Sequence, residues 1–113
     1  MAPLRLATDC SGLGTPYLAL QRLGVDCVHL WASDTYKYAG IMLRLNCRPE
    51  NVYRDIYSRR TADLTQADLY CVGFPCLPFS TAGLRGGFGD EDNGGSIFFR
   101  ALAYIQELSL IHI

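Results

Sequence analysis

The apolar positions of this chain fall into short runs that switch between two periods. Leu4 to Thr8 predicts a strand with Leu4 and Leu6 on one face. Ser11-Gly12-Leu13-Gly14 interrupts it, and Thr15-Pro16 reads as a helix start. Thr15 serves as N-cap there, and Pro16 takes the first helical position, where a missing N–H costs nothing. Leu18, Leu20 and Leu23 continue that helix, and Gly24 is placed to end it in a left-handed conformation. Cys27 to Ala32 is mostly apolar, as a parallel strand covered on both faces is, and Asp34 follows its carboxyl end. Tyr36 to Asn46 carries Tyr38, Ile41, Met42 and Leu45 at helical spacing, and Pro49 forbids much extension. Asn51-Val52-Tyr53 predicts a brief third strand ending near Asp55. The polar stretch from Ser58 to Gln66 has room for a short helix, and Asp68 to Val72 predicts a fourth strand. Gly73 to Gly83 keeps neither period and predicts a loop. It continues to Gly95, with six glycines from Gly83 to Gly95. Ile97 to Leu108 predicts a final helix through Ile97, Ala101, Tyr104, Ile105 and Leu108.

Strands alternating with helices point to an α/β fold with a doubly wound, mostly parallel sheet. The 113 residues make one domain at most. With 50% hydrophobic and 19% charged residues the chain is globular rather than disordered. No apolar run approaches the ~18 residues of a membrane span, and the N-terminus lacks a signal-peptide layout. Ten basic and eleven acidic residues leave −1, which argues against a free-standing nucleic-acid module. Five cysteines without a CxxC pair or a secretory signal point to a reducing, intracellular setting, and neither a zinc site nor any other metal is expected. Leu108 to Ile113 carries no stop signal and reads as an element cut off mid-fold, or as sequence foreign to the protein.

Three constellations carry candidate chemistry. Gly12-Leu13-Gly14 lies between strand and helix, and its plain reading is a tight turn, because Tyr17 breaks the full dinucleotide fingerprint. Asp34, 22 residues beyond Gly12 at the end of the next strand, stands at the offset of a ribose-binding carboxylate. Asp55 and Asp68 each read as turn or capping residues. For Asp55 the functional alternative is an acceptor for an adenine amino group. Cys76 stands in a loop between Pro75 and Pro78, where a packed core position is hard to build, so a nucleophile is favoured over packing. Cys10, Cys27, Cys47 and Cys71 sit in or beside predicted elements and take the packing reading. Asp90 to Phe98 is either a surface loop with Ser96 capping the last helix or a lid hinged on glycines.

Taken together these residues resemble the DNA (cytosine-5) methyltransferases. Gly73-Phe74-Pro75-Cys76-Leu77-Pro78-Phe79-Ser80 is similar to that family's catalytic loop, with Leu77 where Gln is usual. Ser11-Gly12-Leu13-Gly14 resembles the cofactor loop, with Cys10 where an aromatic residue is usual. Ala32-Ser33-Asp34 resembles the acidic ribose-binding segment, and Arg54-Asp55-Ile56 the adenine-binding one. Asp92 to Phe98 resembles the segment after the catalytic loop, with Gly94 in place of Arg. The family's Glu-Asn-Val motif, its Gln-x-Arg-x-Arg motif and its target-recognition domain have no counterpart here. The chain thus resembles the N-terminal part of the catalytic domain, roughly its first third.

The resemblance implies a truncated Rossmann-like fold of the S-adenosylmethionine-dependent methyltransferase type. It implies S-adenosylmethionine as cofactor, held by Cys10, Gly12, Leu13, Gly14, Asp34, Asp55 and Phe74. Cys76 is then the nucleophile that attacks a flipped-out cytosine, and Ser80 a contact to DNA phosphate. It implies an intracellular enzyme, monomeric at full length, with these 113 residues inactive on their own. Transfer RNA cytosine-5 methyltransferases share the motif set, and a non-catalytic adenosine-nucleotide-binding module is the alternative of another class.

Overall fold

A computed structural model of the protein describes residues 2–57, 59–60, 64–73 and 96–107. The elements run β1 (Leu4–Asp9), α1 (Thr15–Arg22), β2 (Cys27–Ser33), α2 (Lys37–Met42), β3 (Asn51–Tyr53), β4 (Leu69–Val72) and α3 (Ile97–Glu107). All four strands are parallel, in the order β3-β2-β1-β4. The chain builds outward from β1 to β3 and then returns to place β4 on the free side of β1. That reversal is the switch point of a doubly wound, Rossmann-like α/β sheet, and it opens a crevice at the strands' carboxyl ends.

The two sheet faces have different cores. On one, Trp31 lies edge-on to Tyr104 (5.1 Å between ring centres) and beside Tyr70 (5.9 Å), with Ala7, Leu64 and Ala67 completing the cluster. On the other, Tyr17 of α1 packs with Ala32, Leu43 and Cys47. Strict alternation along β2 would send His29 and Trp31 to the same face. The register slips by one residue there, Leu6 pairing with His29 and Ala7 with Trp31. The extra residue re-aims the side chains. Leu30 and Trp31 both enter the aromatic cluster, while His29 stacks on Tyr17 at 5.4 Å.

Several local expectations shift when the chain is folded. Helix α1 starts one residue early: Gly14, not Thr15, is its N-cap, in the left-handed region (φ 79°), and Pro16 falls in the second helical position. The cap is set by backbone, since Leu18 N–H donates to the Gly14 carbonyl and no side chain caps the turn. The far end behaves as the sequence predicts. Gly24 (φ 73°) closes it, with Val25 N–H reaching the Leu20 carbonyl and Gly24 N–H that of Gln21. The single helix expected over 36–46 is instead α2 followed by a π-helical turn at Leu43–Cys47, closed by Arg48 N–H to the Leu43 carbonyl. The wider turn seats Leu43 and Cys47, both buried, under the glycine loop.

In the stretch 58–66 the described residues are not helical. The Thr65 carbonyl there accepts Trp31 Nε1–H at 3.1 Å and the Tyr104 hydroxyl at 3.3 Å, so side chains take the acceptor a helix would use. Asp68 is structural: its carboxylate and backbone N–H both bond Arg5, fixing the start of β4 beside β1. Beyond Gly73, the expected loop lies outside the described residues.

A Cβ on Gly14 would stand 2.3 Å from Cys47 Sγ, whereas one on Gly12 (φ 54°) would meet nothing within 4 Å. Gly14→Ala is predicted to cost roughly 2–3 kcal/mol and Gly12→Ala about 1 kcal/mol, the latter from backbone strain alone. Urea unfolding of both variants measures the gap, and Cys47→Ala restores part of the Gly14→Ala loss.

Candidate active site

The carboxyl ends of β1, β2 and β4 surround two adjoining hollows that share Cys10 and Gly73. One, of about 450 Å³, is floored by the glycine turn and the start of α1. The other, of about 280 Å³, is walled by Asp34, Thr35 and the segment Asp55-Ile56-Tyr57. Small-molecule sites span ~300–1,000 Å³. A wider cavity of about 820 Å³ lies at the opposite end of the sheet, beside Leu4, Val25 and Val28, away from the glycine turn, Asp34 and Asp55.

Asp34 is the hinge of this arrangement. Its Oδ2 accepts the Gly12 N–H at 2.8 Å and its Oδ1 the Tyr36 N–H at 2.9 Å. The carboxylate thus holds the glycine turn across 22 residues of sequence. Each oxygen keeps a second lone pair. Asp55 accepts the Tyr57 N–H at 2.9 Å in a tight turn, which sets the wall opposite. Tyr57 then joins its hydroxyl to Ser96 Oγ at 2.6 Å, tying this wall to the residue just before α3.

Beneath the cleft lies a carboxylate that sequence reasoning missed. Asp9, buried at the end of β1, receives a two-pronged ion pair from Arg59, the Tyr70 hydroxyl at 2.6 Å and the Ser33 hydroxyl at 2.5 Å. Arg59 in turn stacks over Trp31, 4.7 Å from the ring centre. A polar residue closing an apolar run was the only available signal for Asp9, the same signal that marked Asp34. Arg59, inside a polar stretch, offered none.

A second buried network supports the glycine turn. Ser11 Oγ–H donates to the Thr8 carbonyl at 3.1 Å and accepts the Ser33 N–H. With that proton spent, the 2.7 Å contact between the two hydroxyls makes Thr8 Oγ1 the donor to Ser11. Thr8 Oγ1 then accepts from His29 Nε2–H at 3.0 Å. His29 Nδ1 is left as a bare acceptor among the described residues.

The family model for C-5 cytosine-specific DNA methylases matches residues 8–109. The chain belongs to this family. It is 33% identical over 104 residues to the type II methyltransferase M.HhaI of Haemophilus parahaemolyticus, covering 92% of this chain and 30% of that protein. Against the type II methyltransferase M.Bsp6I of Bacillus sp. (strain RFL6) it is 33% identical over 102 residues, 90% of this chain and 32% of the relative. The orphan methyltransferase M.Rho11sI of Bacillus phage rho11s matches at 32% over 112 residues, 95% of this chain and 21% of the relative. The chain therefore spans between about a fifth and a third of these relatives' length.

Within this C-5 cytosine methylase chain, Cys10, Gly12, Leu13, Asp34 and Asp55 all come to the one cleft, and Gly14 lies just beneath it against Cys47. Phe74, Cys76 and Ser80 lie outside the described residues. Burial, with Asp9 and Asp34 nearby, pushes the Cys10 thiol up to about 11. Burial raises Cys27, Cys47 and Cys71 as well, so the four described cysteines stay neutral thiols near neutral pH. Among the described residues no cluster of His, Cys, Asp and Glu is arranged to hold a metal ion, and no helix is long and apolar enough to cross a membrane.

Burial lowers His29 from 6.5 to about 4. The unfolded chain binds the extra proton between those values, so this contribution is whole above the unfolded value and declines as pH falls toward the folded one. The loss is predicted to reach roughly 3 kcal/mol. Urea midpoints for the wild type and His29→Gln at about pH 7 and about pH 4.5 check it, the variant losing less on acidification.

Proposed function

We propose that this chain is the cofactor-binding and nucleophile-bearing part of an enzyme that methylates C5 of cytosine in DNA, using S-adenosylmethionine. The observation that carries the reading is the convergence of the glycine turn, Asp34 and Asp55 on one cleft at the switch point, with Gly73 at its edge. Cys76 follows Gly73 by three residues in sequence. The relatives named as type II methyltransferases support a modification role of the restriction–modification kind, inside the cell and alongside DNA.

The residues present fit an adenosyl cofactor. A Cβ at Gly12 would project into open space, so the glycine leaves the backbone accessible to a ligand. The N-terminus of α1 carries no side-chain cap, and Thr15 and Pro16 line the larger hollow, a setting suited to a carboxylate. Asp34 offers two spare lone pairs to a pair of ribose hydroxyls, and Asp55 is placed to accept from an adenine amino group. Cys10, Leu13, Gly14 and Phe74 complete the binding set. When bound, S-adenosylmethionine supplies an electrophilic methyl group on a sulfonium.

The remaining chemistry belongs to Cys76. Cytosine C5 is a weak nucleophile until the Cys76 thiolate adds to C6. A sulfur–C6 bond forms, and the electron pair of the C5–C6 double bond moves onto C5. Once C5 is methylated, loss of its proton to a base restores the double bond and expels the thiolate. C6 is shielded inside a duplex, so the base is flipped out, and Ser80 contributes a phosphate contact. Cys10, held protonated, is not a competing nucleophile. The enzyme acts as a monomer and needs no metal for these steps.

In the intact protein, S-adenosylmethionine and DNA carrying 5-fluorocytosine are expected to trap a covalent adduct, since fluorine replaces the proton that must leave. Cys76→Ser abolishes the adduct and Cys27→Ser, at the opposite end of the sheet, keeps it, as read by denaturing electrophoresis. An adduct that survives Cys76→Ser, or none from wild type that binds the cofactor, rejects the mechanism.

A further inference from the structure

Arg59 lines neither hollow, yet it stands two residues beyond the segment that walls one of them. Its side chain is 5% exposed and pairs with both carboxylate oxygens of Asp9. Asp9 precedes Cys10, which borders both hollows, while Arg59 follows Asp55-Ile56-Tyr57, the wall of the smaller one. Two contacts flank that wall: Tyr57 bonds Ser96 at the head of α3, and Arg59, two residues on, bonds Asp9 at the end of the central strand. The second contact draws on the shape of arginine. The planar fork lies over Trp31 at 4.7 Å and near the Tyr53 ring at 5.8 Å while both prongs reach Asp9.

We propose that Arg59 is a positioning residue for the cofactor cleft, its tether to Asp9 setting the width between the Asp55–Tyr57 wall and the end of β1. The proposal rests on the S-adenosylmethionine reading above. Arg59 touches no ligand and acts through the wall. Lysine at this position keeps the charge but loses the second N–H···O bond and the stacking. Arg59→Lys therefore loosens the wall and removes binding shared by ground and transition states.

The probe is S-adenosylhomocysteine, titrated by calorimetry into the intact protein below the melting temperature of every variant. Arg59→Lys is expected to raise Kd at least about tenfold. It raises the KM for S-adenosylmethionine in parallel, while kcat at saturating cofactor stays within about twofold. Tyr70→Phe removes another donor to Asp9 but leaves Arg59 in place. It is expected to lower the melting temperature while leaving Kd within about twofold. An unchanged Kd in Arg59→Lys, or equal weakening by Arg59→Lys and Tyr70→Phe, overturns the tether. Should Arg59→Lys fail to fold, Asp9→Asn weakens the same pair with one acceptor kept, and an unchanged Kd there is equally fatal. A wild type that binds no S-adenosylhomocysteine defeats the cofactor reading itself, and the tether with it, whereas a binding wild type isolates the tether.

Discussion

The Asp9 carboxylate sits at the end of the central strand with almost no solvent contact. A buried charge costs several kcal/mol unless its partners are well placed, and stripping one partner from a buried pair costs ~3–5 kcal/mol. Here the partners come from three separate stretches: Ser33 at the end of β2, Tyr70 in β4, and Arg59 beyond β3. Satisfying Asp9 brings the carboxyl ends of neighbouring strands and the connecting segment to one point. That point lies directly under the crevice that a doubly wound sheet opens for a ligand.

The cleft is consequently shaped from its floor as well as by its walls. On one face of the sheet Arg59 lies over Trp31 of the aromatic cluster, and Tyr57 bonds Ser96 at the head of α3. On the other, the π-helical turn seats Cys47 against Gly14, while Ser11, Thr8 and His29 form a hydrogen-bonded column into the sheet. The one-residue slip in β2 makes this division possible, because it sends His29 and Trp31 to opposite faces. Asp34 closes the frame by accepting the backbone N–H of Gly12.

Much of this was readable in the sequence where local rules act alone. The apolar pattern bounds β3, bounds β1, β2 and β4 to within a residue at their ends, and marks Gly24 as the close of α1. Asp34 met the glycine turn because strand-end geometry fixes that offset. What escaped was set by tertiary contact. Gly14 displaced Thr15 as the cap because the turn must pass over Cys47. The π-helical turn and the slip at Leu30 leave no mark on apolar spacing. Arg59 looked like one charge in a polar stretch, and only the fold discloses the carboxylate it meets.

The most direct test of a cofactor cleft at the carboxyl ends is a backbone amide NMR titration of the intact protein with S-adenosylhomocysteine. The predicted shifts centre on Gly12, Asp34, Asp55 and Gly73, while amides beside the opposite cavity, such as Arg5, Val25 and Glu50, hold still. Shifts centred on that opposite end, with Gly12 and Asp34 unmoved, would contradict it.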